Sequence, residues 1–200
     1  MIPAVILAAG LSSRMGRAKA LLPVPGGDWF LSRLVRTFLS AGCSEVVAVV
    51  GEAEEAIRSV ANHERLRVHL VRNPDPSRGQ LSSLQAALAW VAPDHPRGLM
   101  MAPVDLPLIA VPTVRAVIDA WVRTGAPIVR PSHGHRHGHP VLFDARVLPE
   151  LLAVDLTAGA RPVVHAHRAE VCNVEIDDPG AYDDIDTPED YRRVFGEEPA

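Results

Sequence analysis

Short apolar runs alternate with amphipathic stretches through the first two thirds of the chain. The apolar, partly β-branched run at residues 3–9 is typical of a buried strand, whereas apolar positions at helical spacing in residues 29–39 predict a helix. The same pattern predicts further strands at 45–50, 66–71, 98–104 and 127–130 and further helices at 52–61, 81–91 and 112–122. Strands that alternate with helices favour an α/β fold with a mostly parallel central sheet and helices on both faces.

The pattern becomes less regular beyond residue 131. The Gly- and His-rich segment 132–140 predicts a hairpin, and residues 141–143 form its returning strand. We also predict helices at 147–152, 159–167 and 188–195 and a strand at 170–176. No repeat or linker is visible, so we expect a single domain over residues 1–200 with a small C-terminal hairpin subregion.

Composition excludes several classes of protein. With 200 residues, 48% of them hydrophobic, the chain can bury a core without disulfides or a structural metal. Its net charge of -4 disfavours nucleic-acid binding, because surfaces that follow phosphates carry a basic excess. Cys43 and Cys172 lack metal-ligand spacing and favour a reducing compartment. The apolar run near the N-terminus is too short to span a membrane, and basic residues follow it instead of preceding it. We therefore expect a cytoplasmic protein without a membrane segment.

The loop after the first predicted strand is a candidate anion site. Residues 7–19 read LAAGLSSRMGRAK, and the backbone N–H groups of such a glycine-containing loop can turn toward an anion. Arg14, Arg17 and Lys19 add charge-assisted hydrogen bonds suited to a polyphosphate. Lys19 is the only lysine in the chain and provides a compact ammonium where arginine would place a wide planar group. The alternative is a solvated basic loop.

Carboxylates form a second group of candidates. Asp105 directly follows the strand predicted at 98–104, at the carboxyl edge where such sheets bind ligands. A carboxylate there suits Mg²⁺, and the alternative role is a helix cap. Residues 177–190 contain seven acids, which repel one another unless a cation or positive neighbours are present. The alternative for this turn is a solvated loop with Asp186 or Thr187 as the cap of the last helix.

Alternating histidines occupy the predicted hairpin. They are His133, His135, His137 and His139. In a straight strand they would share one face and suggest a zinc or nickel site, but the two glycines in the run favour a bent, solvated hairpin. Both interpretations stay open from the sequence.

Together these segments resemble a known enzyme family. The segment at residues 7–19 is similar to the signature of nucleotidyltransferases with a Rossmann-like sheet. Further segments at 79–84 (GQLSSL), 103–107 (PVDLP), 138–143 (GHPVLF) and 184–190 (DIDTPED) narrow the resemblance to molybdenum cofactor cytidylyltransferases and their near relatives. They occur in the family's order and cover nearly the whole chain. The resemblance implies a Rossmann-like, three-layer nucleotidyltransferase fold.

The resemblance also implies a reaction. CMP would be transferred from CTP to the terminal phosphate of molybdopterin in the presence of Mg²⁺, with release of pyrophosphate. The Ala-Ala-Gly form at residues 8–10 resembles the cytidylyl branch more than the guanylyl branch. The alternatives are the use of GTP or another nucleotide, a sugar or polyol phosphate as acceptor, or a non-catalytic nucleotide-binding cofactor chaperone. A molybdoenzyme or its maturation chaperone would receive the product, and neither nucleic acid nor a membrane is expected as a partner.

Site residues follow from the same resemblance. It implies catalytic roles for Arg14, Lys19 and Asp105, and a metal site formed by Asp105 and Asp186 with Asp184 as the substitute. His139 and Pro140 would contact the acceptor. The residues implied to bind the nucleotide are Leu7, Ala8, Ala9, Gly10, Ser12, Ser13, Arg14, Lys19, Gly79, Gln80, Ser82 and Ser83. By itself, the Gly-Gln-x-Ser-Ser segment also fits a plain loop-to-helix junction with Ser82 as the cap.

The chain departs from the family at one segment. Relatives often carry Gly-Asp-x-Gly-Ala-Arg where residues 156–161 read LTAGAR, so the acidic end of that segment is missing. This departure concerns the acceptor more than the nucleotide chemistry. The attacking group would be a phosphate that is already ionised, so no general base is expected, and no Ser-His-Asp or Cys-His set is evident.

Overall fold

A computed structural model describes residues 1–10, 15–156 and 159–198. The strands of this described part are β1 Ala4–Ala8, β2 Pro23–Val24, β3 Asp28–Trp29, β4 Val46–Val50, β5 His69–Arg72, β6 Gly98–Pro103, β7 Ile128–His133, β8 Arg136–His137, β9 Val141–Asp144 and β10 Cys172–Glu175. Its α-helices are α1 Phe30–Ala41, α2 Glu54–His63, α3 Gln80–Val91, α4 Val111–Thr124, α5 Leu148–Ala153, α6 Arg161–Ala166 and α7 Pro188–Phe195.

The central sheet has the order β10–β7–β9–β6–β1–β4–β5, and β8 pairs with β7 outside this path. Strand β1 runs parallel to β4 and β6, β4 parallel to β5, and β10 parallel to β7. Strand β9 is antiparallel to both of its neighbours, β6 and β7. The predicted α/β architecture with a mostly parallel sheet is therefore confirmed.

Helices cover both faces of this sheet because successive side chains of a buried strand point in opposite directions. On β1, Ile6 faces the layer that contains α1 and α4, and Leu7 faces the layer that contains α3, α5 and α6. All five residues of β1 and all five of β4 are buried, as expected for central parallel strands. The structure thus has the three layers that the resemblance implied.

Most predicted elements are present with shifted ends, and two differences concern loops. The strand predicted at 127–130 continues to His133 and turns at Gly134, whose φ of 59° favours glycine, to form the expected hairpin with β8. The β2–β3 hairpin was not predicted, because strands of two residues are too short to show an alternating pattern.

The single-domain assignment of residues 1–200 stays a prediction. In the described ranges, every helix is too short or too polar to cross a lipid bilayer.

Candidate active site

Two neighbouring cavities open at the carboxyl end of β1. The smaller has a volume of about 490 Å³ and is lined by the end of β1, by Lys19 and by residues 103–105. The larger has a volume of about 1030 Å³ and extends from β1 toward β10. Leu7, Gly79 and Gln80 line both cavities, so the two spaces adjoin along these residues. Both volumes suit small-molecule ligands.

A lysine and two carboxylates converge in the smaller cavity. The Nζ atom of Lys19 lies 3.0 Å from Oδ2 of Asp105 and also forms a close ion pair with Oδ1 of Asp186. The three side chains are 11%, 20% and 25% exposed, so water screens their charges only partly. The structure therefore brings together Lys19, Asp105 and Asp186, which are far apart in the chain and were singled out from the sequence.

The C-terminal turn is attached to the Asp105 loop through its backbone. The N–H of Ile185 donates to the carbonyl of Asp105 over 2.9 Å, which places the neighbouring Asp186 beside that loop. Thr187 then caps α7: its hydroxyl accepts from the N–H of Asp190, whose carboxylate accepts from the N–H of Thr187. The hydrogen bond from the Thr187 hydroxyl is the largest cause of the lowered pKa of Asp190. Thr187, and not Asp186, is therefore the helix cap, which leaves the Asp186 side chain directed to Lys19.

The other acids of this turn have separate structural roles. Asp178 accepts from the N–H of Ala110 and the hydroxyl of Thr113 and so caps the start of α4. Asp183 forms an ion pair with Arg136 at 2.7 Å. Asp184 lines the smaller cavity. The repulsion expected from the sequence is thus relieved by capping and ion pairs, and two acids remain directed toward the cavity.

The donor set of the smaller cavity fits a divalent cation. Carboxylate oxygens of Asp105 and Asp186 both contact the ammonium of Lys19, so the two carboxylates lie close enough to act on one cation. Mg²⁺ commonly binds one or two carboxylates together with substrate phosphates, and it keeps several waters. Asp105 and Asp186 are therefore the residues that would hold such an ion.

Residues 73–83 form a braced loop at the junction of the two cavities. The side-chain amide of Asn73 donates to the hydroxyls of Ser82 and Ser83, over 2.8 and 2.9 Å. Ser82 in turn donates to the carbonyl of Gly79. The Ser82 hydroxyl is thus engaged within the loop, whereas Ser83 lines the smaller cavity and the exposed Gln80 lines both. Asn73 was not singled out from the sequence, since its role depends on a tertiary contact with α3.

Gly51 was also missed, and it allows the loop after β1 to pass close to β4. A Cβ atom at this position would lie 2.8 Å from the carbonyl oxygen of Ala9 and 3.2 Å from Pro76. A larger residue would therefore push apart the two loops that line the smaller cavity. The sequence signal was only a glycine directly after a buried strand.

His139 lies on the wall of the larger cavity with an unused polar atom. Its Nδ1 atom is buried and has no hydrogen-bond partner among the described residues, and such atoms are rare in folded proteins. Burial lowers the pKa of His139, while a hydrogen bond to the backbone of Met101 and the charge of Asp105 offset part of the shift. The ring is therefore neutral near pH 7. Pro140 is buried and lines neither cavity.

Cationic side chains line the larger cavity together with an apolar floor. The arginines are Arg78, Arg130, Arg161 and Arg168. No Asp or Glu lines this cavity, and in residues 1–10, 15–156 and 159–198 none of the four arginines has a carboxylate partner. The floor includes Leu84, Ile128 and Phe143. This arrangement favours a ligand that is anionic in places and apolar or flat between them.

The hairpin directs its histidines to different surroundings. His133 contacts Glu175 and Tyr182, His135 is exposed at the tip, and His137 and His139 line the larger cavity. The described residues hold no group of three or more His, Cys, Asp or Glu side chains able to bind a metal.

Three residues expected to bind the triphosphate lie outside the described residues. These are Ser12, Ser13 and Arg14. Leu7, Ala8, Ala9, Gly10 and Lys19 do line the smaller cavity, as expected of a phosphate-binding loop. In the segment that departs from the family, residues 157 and 158 are likewise outside the description, and Leu156, Gly159, Ala160 and Arg161 line the larger cavity.

The chain is similar to known proteins in family, sequence and structure. The model of the family described as "MobA-like NTP transferase domain" matches residues 4–171. The chain is 33% identical to nicotine blue oxidoreductase of Paenarthrobacter nicotinovorans, over 97% of this chain and 96% of that protein. It is 29% identical to molybdenum cofactor cytidylyltransferase of Escherichia coli, over 95% of this chain and 93% of that protein.

Solved structures agree with the fold. The crystal structure of Rv0371c from Mycobacterium tuberculosis superposes with a TM-score of 0.81 at 31% identity, covering 98% of this chain and 97% of that one. A complex of the same protein with manganese gives a TM-score of 0.76 at 28% identity, covering 98% of both chains.

Proposed function

The chain belongs to the family of MobA-like NTP transferase domains and is a nucleotidyltransferase, and from this premise we propose that it transfers CMP from CTP to the terminal phosphate of molybdopterin. Pyrophosphate is the second product. The observation that carries the proposal is the convergence of Lys19, Asp105 and Asp186 in a cavity that adjoins a larger, cationic one.

In this proposal the smaller cavity binds the triphosphate of CTP. An oxygen of the acceptor phosphate attacks the α-phosphorus of CTP, a new P–O bond forms, and the bond from the α-phosphorus to the β-phosphate bridging oxygen breaks. The electron pair leaves with pyrophosphate, and the ammonium of Lys19 stabilises the charge that develops there. Asp105 and Asp186 would hold a divalent cation, which we propose to be Mg²⁺, and this ion would supply charge neutralisation for the transfer. The remaining task of the protein is positioning, which this chemistry depends on strongly.

In this proposal the larger cavity binds the acceptor. It begins at Leu7, Gly79 and Gln80, which also line the smaller cavity, so an acceptor phosphate at this boundary would face the α-phosphate. His139 lines this cavity, and a neutral imidazole has one ring nitrogen that can accept a hydrogen bond from a heterocyclic N–H group. We propose this contact for the pterin side of the acceptor, and a molybdoenzyme or its maturation chaperone in the cytoplasm as the recipient of the product.

The choice of CTP is supported by two observations. The Ala-Ala-Gly form at residues 8–10 resembles the cytidylyl branch, and the 29% identical relative from Escherichia coli is named a cytidylyltransferase. Gln80 is exposed at the boundary of the two cavities, where its amide can donate to and accept from a base edge. GTP is the alternative nucleotide.

The experiment combines nucleotide binding with turnover. Thermal unfolding would be followed with CTP, GTP, ATP and UTP, each with and without Mg²⁺. We expect the largest stabilisation with CTP and Mg²⁺, about 2.7 kcal/mol at a hundredfold excess over the dissociation constant. Pyrophosphate release would then be measured with CTP, with and without molybdopterin. Release that requires both substrates supports the proposal, and a preference for GTP would replace the nucleotide and leave the reaction type unchanged.

A parallel assay addresses the relative that is named an oxidoreductase. The same preparation would be mixed with reduced nicotinamide dinucleotides and a quinone-type dye, and oxidation of the nicotinamide would be followed by absorbance. We expect no oxidation above that in a sample without protein. Oxidation without pyrophosphate release would overturn the proposed function.

A further inference from the structure

Asn73 is a buried polar residue that follows directly after β5. It is 4% exposed, and its backbone N–H donates to the carbonyl of Val50 at the end of β4 over 2.9 Å. The backbone at this position is therefore fixed to the sheet. Buried polar side chains are retained when their hydrogen bonds are satisfied, so the partners of the Asn73 amide decide what this side chain does.

The orientation of the Asn73 amide is set by its neighbours. Its Oδ1 atom accepts from the N–H of Asp75 over 3.0 Å, and only the amide oxygen can accept there. The Nδ2 atom therefore points to Ser82 and Ser83, over 2.8 and 2.9 Å. Because this nitrogen only donates, both serine hydroxyls act as acceptors in these contacts.

The two serines differ in where the hydroxyl hydrogen goes. Ser82 donates to the carbonyl of Gly79 over 2.7 Å and lines neither cavity. Ser83 lines the smaller cavity, and among the residues that the structure describes its hydroxyl accepts from Asn73 and has no acceptor for its own hydrogen. The hydrogen of Ser83 is therefore left for a ligand of that cavity.

We propose that Asn73 is a positioning residue that holds the Ser83 hydroxyl as a hydrogen-bond donor toward an oxygen atom of the bound nucleotide. This inference rests on the proposed function for the location of the nucleotide. A hydroxyl that rotates freely presents either its hydrogen or a lone pair, and the Asn73 amide selects the hydrogen before the ligand arrives. Such a fixed donor suits phosphate and ribose oxygens, which accept hydrogen bonds.

Asn73→Asp reverses this arrangement with little change in shape. An ionised aspartate only accepts, so the Ser83 hydroxyl would donate to it and present lone pairs to the nucleotide. The new carboxylate also repels the phosphates, and the variant alone does not distinguish the two effects. A double-mutant cycle with Ser83→Ala does, because the repulsion is the same with and without the hydroxyl and cancels in the cycle.

Calorimetric titration of CTP in the presence of Mg²⁺ gives the dissociation constants of the four proteins in the cycle. We expect Asn73→Asp to weaken CTP binding about thirtyfold when Ser83 is present and only about threefold in the Ser83→Ala background. The interaction factor between the two changes is then about tenfold. A residue that merely stabilises the loop would weaken binding by the same factor in both backgrounds.

Two further cycles control for stability and charge. Ser82→Ala is the matched control, since Ser82 contacts the same amide, and its interaction factor with Asn73→Asp in CTP affinity should lie within about twofold of unity. Asn73→Leu introduces no charge and repeats the cycle with Ser83→Ala if Asn73→Asp does not fold. There we expect an interaction factor of about threefold, because the Ser83 hydroxyl is released and not reversed. Urea denaturation shows which variants are folded.

The outcomes separate this proposal from the proposed function. Equal factors in the two Ser83 backgrounds would overturn the positioning role of Asn73, even if pyrophosphate is released at the expected rate. An interaction factor of the expected size supports the role even if no pyrophosphate is released, and then only the proposed reaction would fail. If GTP binds more tightly than CTP, the same cycle is measured with GTP and has the same expected result. Binding of neither nucleotide would overturn both proposals.

Discussion

The two cavities share one wall and differ in charge. The smaller one brings two carboxylates and an ammonium together, whereas the larger one is lined by arginines and histidines without any acid. The smaller cavity is built from loops that follow β1 and β6 and from the C-terminal turn. The larger one is built mainly on side chains of β1, β6, β9, β7 and β10 and on the helices above them.

This difference in charge indicates which cavity suits the nucleotide and which suits the acceptor. Carboxylates that hold a cation favour the triphosphate end of a reaction, and cations over an apolar floor favour an acceptor with its own negative charge. The following changes test this separation, from the largest expected effect to the smallest.

Removal of a carboxylate from the smaller cavity should have the largest effect. In Asp105→Asn or Asp186→Asn we expect turnover to fall about a thousandfold, since loss of cation-mediated charge neutralisation in phosphoryl-type transfer costs several kcal/mol. Pyrophosphate release with saturating CTP and acceptor measures this. Asp183→Asn is the matched control, because Asp183 belongs to the same turn but pairs with Arg136, and it should retain turnover within about twofold. Wild-type turnover in either site variant would show that these carboxylates do not form the metal site.

Gly138→Ala should destabilise the contact between the hairpin and the C-terminal turn. A Cβ atom at this position would lie 2.5 Å from the carbonyl oxygen of Ala181 and 2.6 Å from Cε1 of Tyr182, both in the segment that leads to Asp186. We expect the free energy of unfolding to fall by about 1–3 kcal/mol, as for other overpacked sites.

Urea denaturation measures this loss for Gly138→Ala. Gly10→Ala is the control, since no atom of the described residues lies within 4 Å of a Cβ atom there, and it should change stability by less than about 0.5 kcal/mol. Equal stabilities of the two variants would mean that the hairpin and the C-terminal turn are not packed as described.

The neutral state of His139 should appear as a small pH effect. Burial keeps the pKa of His139 below its usual value in the folded protein, so below about pH 6.5 the unfolded chain binds a proton that the folded chain does not. The stabilising contribution is therefore present above the unfolded pKa and is lost as the pH falls toward the folded pKa.

Comparison with His139→Asn reveals this effect, because asparagine does not titrate. We expect the free energy of unfolding of the wild type, relative to the variant, to decrease by about 1 kcal/mol between about pH 7.5 and about pH 5.5. His135→Asn, at the exposed tip of the hairpin, is the control for removal of an imidazole. A constant difference between wild type and His139→Asn would contradict the neutral, buried ring.

Much of the fold could be predicted from local pattern. Buried strands such as β1 and β4 appear as continuous apolar runs, and α1 ends before Gly42, as a left-handed cap requires. Short elements such as the β2–β3 hairpin were missed because a two-residue strand has no period to detect. The order of strands β9, β7 and β10 was also beyond the sequence, because antiparallel insertion depends on packing between distant segments.

The candidate site, like the fold, was predicted from the sequence only in part. Lys19 and Asp105 were singled out from the type of residue and its place after a strand, and Asp186 was implied by the family resemblance. The structure brings all three together. Asn73 and Gly51 were missed, since one braces a loop against α3 and the other permits the close approach of two loops. The arginines of the larger cavity were missed as well, because arginines at isolated positions give no pattern until the fold places them on one wall.

The sequence by itself determined the α/β class, the positions of the main strands and helices, and Lys19 and Asp105 as candidate residues. Those features depend on hydrophobic period, turn residues and charge within short segments, which are local properties. Only the tertiary structure decided that two of seven acids in the C-terminal turn face the smaller cavity, and that a long cationic cavity lies beside it. The reason is that these features depend on contacts between segments up to 167 positions apart, such as Lys19 with Asp186, whose partners the chain selects only when the sheet has formed.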